Sequence, residues 1–237
     1  MLDKIQFTNI IGKNDFTVGD NEYNLLNRFI NLLLEWNSKI NLISRKEGEN
    51  VWSKHLLGSL SILFKSRFAE GSKIVDIGTG GGFPGIPLAI CLPNNSFTLV
   101  DSIQKKISVV TDIIQQLELP NAIAICCRAE ELCRKPEHLK KYDYVTARAV
   151  APISDIIGWT RPFLKSGLSA GHKEKNAAIK RTIEPGSIVI FKGGDVTTEI
   201  EQTRIKHNPK SIEVVPLNIE GIDPADFSDK KIVIIKP

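Results

Sequence analysis

Apolar residues recur at helical spacing through the first quarter of the chain, and the period then changes. From Asp20 to about Ile43 the positions Tyr23, Leu26, Phe29, Ile30, Leu33, Leu34 and Trp36 fall on one face of a 3.6-residue repeat, behind Asp20 as an N-cap. A second helical stretch is predicted from about Val51 to Phe64. At Ser72 the pattern switches to short β-rich runs alternating with helices. Strands are predicted at Lys73 to Ile77, Phe97 to Asp101, Ala122 to Cys127, Tyr142 to Thr146 and Ser187 to Phe191. Helices are predicted between them at Pro84 to Cys91, Ile103 to Leu119, Ile153 to Leu164 and Asp195 to Lys206. Two last apolar runs, Ile212 to Leu217 and Lys231 to Lys236, are joined by a loop too short for a crossover helix, so they should pair antiparallel.

This organisation predicts an N-terminal helical region over residues 1–70 and a Rossmann-like α/β domain over 71–237. Five β/α units with an antiparallel ending form the sheet of class I S-adenosylmethionine-dependent methyltransferases. Two complete mononucleotide halves would instead suggest a dinucleotide dehydrogenase. The polar segment Ser166 to Gly186 is expected to be an exposed loop or a short extra helix.

Composition narrows the picture only a little. A chain of 237 residues, 42% hydrophobic, can bury a full core. Its start, Met1 to Ile5, carries an acid and no apolar run, and no stretch approaches the roughly 20 apolar residues of a spanning helix. A cytoplasmic protein with no membrane contact is expected. Cys91, Cys126, Cys127 and Cys133 form no C-x-x-C pair and no matching histidine cluster, so no metal is expected; they read as small buried residues in a reducing compartment. A net charge of +4 permits a nucleic-acid partner without requiring one.

The chemistry concentrates at Asp76-Ile77-Gly78-Thr79-Gly80-Gly81-Gly82-Phe83-Pro84-Gly85, between the first strand and its helix. Gly78, Gly80 and Gly82 suit positive φ and bare backbone against a bulky ligand. Pro84 suits a helix start. Read one way, Asp76 accepts hydrogen bonds from the amino-acid region of a sulfonium cofactor and Phe83 with Pro84 blocks a pyrophosphate. Shifted, Gly80 to Gly85 fits the dinucleotide pattern G-x-G-x-x-G. Asp101 closes the second strand near the ~20-residue spacing at which an acid meets a ribose, and could equally cap the helix near Ile103. After the third strand, Arg128-Ala129-Glu130-Glu131 sits where backbone crosses an adenine, or is a solvated turn. Arg148 follows the fourth strand at the ligand-binding edge; its bland role is a salt bridge to an acid such as Glu130.

Together these residues resemble the bacterial small-subunit rRNA methyltransferases RsmG, also called GidB. The matching stretches are Trp36 to Leu42, Lys54 to Leu57, Val75 to Pro87, Leu99 to Ser102, Arg128 to Glu131, Thr146 to Ala149 and Phe191 to Gly194. The resemblance implies methyl transfer from S-adenosylmethionine to N7 of a guanine in 16S rRNA. It places cofactor contacts on Gly78, Phe83, Ala129 with Glu130, and Arg148, and makes Asp101 a ribose contact. It also implies 16S rRNA or the small ribosomal subunit as partner; separately, a monomer is expected. The chain departs from the family where an acid usually follows the K/R-H-x-L pattern: Gly58 stands there. Residues 167–184 also exceed the usual connection.

Guanine N7 already carries an in-plane lone pair, so no general base is required and no catalytic residue is assigned. The chain has neither an [ND]-P-P-[YF] quartet for exocyclic amines nor a Pro-Cys nucleophile for pyrimidine C5. RNA affinity should come from basic surface. Arg161 to Lys210 holds ten Lys and Arg against five Asp and Glu, and Lys173, Lys175, Lys180 and Arg181 are the preferred phosphate contacts. Arg45, Lys46, Lys54, His55, Lys65 and Arg67 form a second cluster, in which His55 reads as structural or RNA-contacting. The alternatives are a same-fold methyltransferase acting on a small molecule or protein, a nicotinamide-dependent reductase, and a non-enzymatic RNA-binding module.

Overall fold

A computed structural model describes residues 2–44, 50–165 and 181–237. Its centre is a seven-stranded sheet of β1 (Lys73–Ile77), β2 (Ser96–Asp101), β3 (Ala122–Cys126), β4 (Tyr144–Arg148), β5 (Ser187–Gly193), β6 (Ser211–Pro216) and β7 (Lys230–Lys236). The strand order is β3-β2-β1-β4-β5-β7-β6. The first five strands run parallel, and β7 lies antiparallel to both β5 and β6, as the short final connection requires.

Alternation along these strands feeds two cores. Ile74, Phe97, Leu99, Tyr144, Val189 and Phe191 face one side. Val75, Ile77, Val100, Val145, Ala147, Ile188 and Ile190 face the other. The first face is covered by α1 (Lys4–Lys13), α2 (Asp20–Asn37), α3, α4 (Gly85–Cys91) and α5 (Gln104–Gln116). Here α3 begins as a π-helical turn, Val51–Leu57, and continues through Gly58–Leu60 and Ile62–Lys65. The second face is covered by α6 (Ala129–Leu132), α7 (Ile153–Thr160) and α8 (Thr197–His207). Phe29 and Leu33 of α2 share one buried cluster with Ile74 and Phe97 of the sheet, so the N-terminal helices pack directly on the domain.

Several predicted boundaries move, each for a local reason. α1 was not predicted. Its signal was Asp3 followed by Gln6, which form a reciprocal capping box ahead of the buried Phe7, Ile10 and Ile11. α2 stops at Asn37 rather than near Ile43, because the Asn37 Oδ1 accepts the Leu42 and Ile43 N–H groups at 2.8 and 3.0 Å and turns the chain. β4 begins at Tyr144, since Tyr142 forms only an isolated bridge with Leu164; Arg148 is therefore the last residue of the strand. The helix predicted to Leu164 is α-helical to Thr160, then tightens into a 3-10 turn around Pro162.

Candidate cofactor and substrate site

The chain leaves β1 in one direction to β2 and later returns on the other side as β4, so the crevice at the carboxyl end of β1 is the sheet's switch point. The glycine turn fills that end. Thr79 donates its N–H to the Val100 carbonyl at 3.0 Å, and Gly82 and Phe83 donate back to the Thr79 carbonyl at 2.8 and 3.0 Å. Gly78 and Gly82 have φ of +67 and +96. A Cβ on either would stand 2.5 Å from Val150 or Ile86 respectively, so both positions demand glycine.

Asp76 lies beneath the turn, fully buried, which corrects its expected place beside a ligand. Its Oδ1 accepts from the hydroxyl of Thr146, its cross-strand neighbour, at 2.8 Å. Its Oδ2 accepts from the Gly85 N–H at 3.1 Å. Burial pushes its pKa up to about 6, although the Thr146 and Gly85 hydrogen bonds pull the other way. Because Asp76 occupies the first N–H of α4, that helix start offers no anion site of the kind a pyrophosphate uses, and the dinucleotide frame from Gly80 to Gly85 loses its physical basis.

Above the turn opens a cleft of about 310 Å³, lined by Gly78, Asp101, Ala129 and Glu130 together with Lys106 and Trp159. Four predicted cofactor residues thus meet. Asp101 accepts the Gly80 N–H at 3.0 Å on Oδ2 and the Ile103 N–H at 2.9 Å on Oδ1. It fixes both the turn and the entry to α5, and each oxygen retains a second lone pair for a further donor. Glu130 pairs with Arg128 at 3.8 Å, not with Arg148. Lys106 and Trp159 were missed, since a half-buried Lys and a half-buried Trp on helices carry no local motif.

Phe83 and Arg148 do not line that cleft; they meet the N-terminal helices. The buried Phe83 ring lies 5.1 Å from Phe29 and 5.2 Å from His55, centroid to centroid, with the Arg148 guanidinium 5.8 Å from its own centroid. Arg148 donates to the His55 carbonyl and the Ser59 hydroxyl, both at 3.0 Å, and to the Lys54 carbonyl at 3.0 Å. The π-helical turn of α3 presents those carbonyls. Arg148 therefore fastens α3 to the end of β4 through two backbone carbonyls and the Ser59 hydroxyl, and not through the acid of its bland reading.

Beside it lies a second pocket of about 480 Å³, lined by Lys54, His55, Gly58, Arg148, Lys192, Asp226, Phe227, Asp229 and Lys230, among others. The two cavities share Ala149, whose φ of 54 is in the left-handed region that non-glycine residues rarely adopt. A Cβ at Gly58 would touch the Phe227 ring at 3.4 Å and approach Arg148 Nη1 at 3.9 Å. Phe227 thus occupies the side on which a Gly58 side chain would project.

Arg181 is exposed and bonded to Glu213 at 2.7 Å. It pairs with Ser66 in a separate two-stranded parallel sheet. Lys173, Lys175 and Lys180 lie outside the described residues, as do Arg45 and Lys46. The cysteines are free. Cys126 is exposed, because it ends the edge strand β3, and the other three are half-buried, against the expectation of burial. Burial of the Cys91 thiol still pushes its pKa up to about 12. Among the described residues no cluster suited to a metal is present, and no helix is long and apolar enough to cross a membrane.

Residues 22–222 match the family described as rRNA small subunit methyltransferase G. The chain belongs to that family. A ribosomal RNA small subunit methyltransferase G from Chlorobium luteolum is 42% identical over 208 residues, covering 86% of this chain and 76% of its own length. One from Clostridium novyi is 32% identical over 233 residues, covering 96% and 86%. Among solved structures, a SAM-dependent methyltransferase from Aquifex aeolicus superposes with a TM-score of 0.51 at 11% identity, over 71% of this chain and 84% of that one. A precorrin-6y C5,15-methyltransferase from Geobacter metallireducens gives 0.50 at 17% identity, over 83% and 90%. These likenesses show the class I methyltransferase fold.

The stretches that resembled the methyltransferase G family do connected structural work in this chain. Trp36 ties α2 to α5 through its indole N–H on Asp112 at 2.8 Å. Asn37 turns the chain after α2, Lys54 and His55 hold Arg148, and Thr146 holds Asp76. Lys192 of β5 pairs with Glu199 of α8 at 2.9 Å.

Proposed function

We propose that this chain transfers a methyl group from S-adenosylmethionine to N7 of a guanine in small-subunit 16S rRNA, in the cytoplasm and as a monomer. The observation that carries the chemistry is the 310 Å³ cleft, where bare Gly78 backbone faces Asp101 at the switch point of a methyltransferase sheet. Family membership carries the RNA substrate. When bound, the cofactor supplies an electrophilic methyl group. Gly78 lets that ligand lie against the main chain, Asp101 accepts from its ribose hydroxyls, and Ala129 with Glu130 borders its base. Asp76, Gly80 and Gly82 act one step removed, by holding the turn in shape, while Phe83 and Arg148 hold α3 beside it.

No residue needs to remove a proton, since the N7 lone pair attacks directly; alignment and a dry, polar site provide the catalysis. His55 packs on Phe83 and lends its carbonyl to Arg148, a structural role beside the site. Lys173, Lys175 and Lys180 remain our proposed phosphate contacts. The test uses cofactor carrying a labelled methyl group, the purified chain, and either naked 16S rRNA or assembled small subunits. Label should appear on a guanine N7 of one of them. Label on neither RNA, with a small molecule or protein labelled instead, would overturn the reading.

A further inference from the structure

The 480 Å³ pocket is not used by the cofactor in this reading, and its mixed lining fits one class of ligand. Four cations, Lys54, Arg148, Lys192 and Lys230, share it with two acids, Asp226 and Asp229. Three of the cations are engaged within the protein. Arg148 is bonded to α3, Lys192 pairs with Glu199 at 2.9 Å, and Lys230 pairs with Asp229 at 3.0 Å. Asp226 is held more loosely, with Lys54 at 4.0 Å, and its side chain is 35% exposed. A carboxylate on a surface that meets phosphates is electrostatically unfavourable unless the ligand offers it donors. Guanine does so, because its N1–H and N2–H groups point the same way and match the two oxygens of a carboxylate. Adenine and cytosine present a ring acceptor on that edge, which a carboxylate repels.

We infer that this pocket takes the target base, with Asp226 accepting hydrogen bonds from the N1–H and N2–H edge of guanine. The inference rests on the proposed transfer to guanine N7. Three further features support it. N7 lies on the opposite side of the purine from that edge, so a base held by Asp226 turns N7 away from the carboxylate, and the neighbouring cleft shares Ala149 with this pocket. The connection carrying Asp226 is braced: Asn14 bonds both the carbonyl and the N–H of Glu220 at 3.0 Å, and Asp223 accepts the Ala225 N–H at 2.9 Å. Lastly, the step favours an acid here. The N7–methyl bond forms as the sulfur–methyl bond breaks, the positive charge passes from sulfur to the purine, and no proton moves. That charge strengthens the N1–H as a donor, so its bond to Asp226 tightens in the transition state and raises kcat.

The experiment compares wild type, Asp226→Asn and Glu201→Gln on small subunits whose methylation by wild type has been confirmed. It uses two substrates, the normal RNA and one carrying inosine, which lacks the N2 amino group, at the methylated position. Asp226→Asn should lower kcat by about 10- to 100-fold, in line with the discrimination of a bidentate base contact, with cofactor affinity unchanged. Glu201→Gln, at an exposed acid of α8 outside both cavities, should stay within about twofold. Wild type should be slowed by inosine, whereas Asp226→Asn should not be slowed further. Removal of an acid near phosphates by itself strengthens RNA binding, so a bare charge effect has the opposite sign. A general folding defect would slow both substrates alike. Asp226→Asn turning over at the wild-type rate, or remaining as sensitive to inosine as wild type, would overturn the base assignment while leaving methyl transfer intact. A wild type that labels no rRNA overturns the functional reading and this inference with it.

Discussion

The two cavities on either side of Ala149 are built in opposite ways. The smaller is made of strand ends and bare backbone: Gly78 after β1, Asp101 at the end of β2 and Ala129 after β3. The larger is made of side chains from α3, β4, β5 and the connection between β6 and β7, far apart in sequence. A backbone cleft tolerates only particular residues at particular places, because a Cβ or a wrong φ destroys it. A side-chain pocket can be lined by ordinary Lys, Asp and Phe residues, and which of them meet is decided by how helices pack on the sheet.

The contrast is broken most severely by Gly78→Val. Its Cβ would collide with Val150 at 2.5 Å, and valine resists the φ of +67. Strain and overpacking together should cost about 3 kcal/mol of stability. Cofactor affinity should fall by about 100-fold, close to 3 kcal/mol at about 1.4 kcal/mol per decade. Thermal denaturation and isothermal titration check the two effects. Normal affinity in this variant would mean that the cofactor does not rest on Gly78.

Asp76 gives the next effect, through pH. Its folded pKa of about 6 lies above the ordinary carboxylate value of 3.8, so the folded state holds the proton more tightly than the unfolded chain. The associated stability is fully present below about pH 4 and is lost as pH rises to 6. The gap of about 2 units corresponds to on the order of 3 kcal/mol. Asp76→Asn cannot titrate there, yet it can keep an acceptor toward Gly85 while the Thr146 hydroxyl turns to accept. Wild-type stability relative to Asp76→Asn should therefore fall between pH 4 and 6 and level off above it, as read by denaturant unfolding at each pH. A difference that is flat across this range would show that Asp76 is not held in the desolvated state described.

The sheet and the smaller cleft were largely legible in the chain, because their signals are local: period-two apolar runs, a glycine turn and an acid at the end of the next strand. The short connection from Leu217 to Lys231 also gave the antiparallel ending away. Three things were hidden. Asp76 occupies the usual place for a ligand contact, and only its burial beside Thr146 shows that it braces the turn instead. Arg148 calls for an acidic partner by type, yet the π-helical turn of α3 supplies carbonyls that no residue pattern announces. The pocket carrying Asp226 joins residues on four elements, so nothing within one sequence window marks it.

The smallest effect is expected at Arg148, and it asks on which side of Ala149 this residue acts. Arg148→Ala removes charge-assisted bonds to two carbonyls and to Ser59, at about 2 kcal/mol once water partly replaces the guanidinium. Lysine should not restore the loss, since a single ammonium cannot span Lys54, His55 and Ser59 as a planar fork does. If Arg148 serves the side-chain pocket, both variants keep cofactor affinity within about twofold and lose RNA methylation, because α3 drifts from the end of β4. If it reaches across to the cofactor, as the family resemblance implied, titration with S-adenosylmethionine will show the loss directly. The structure favours the first outcome: the guanidinium is turned onto α3, and the cleft with Gly78 and Asp101 is walled without it.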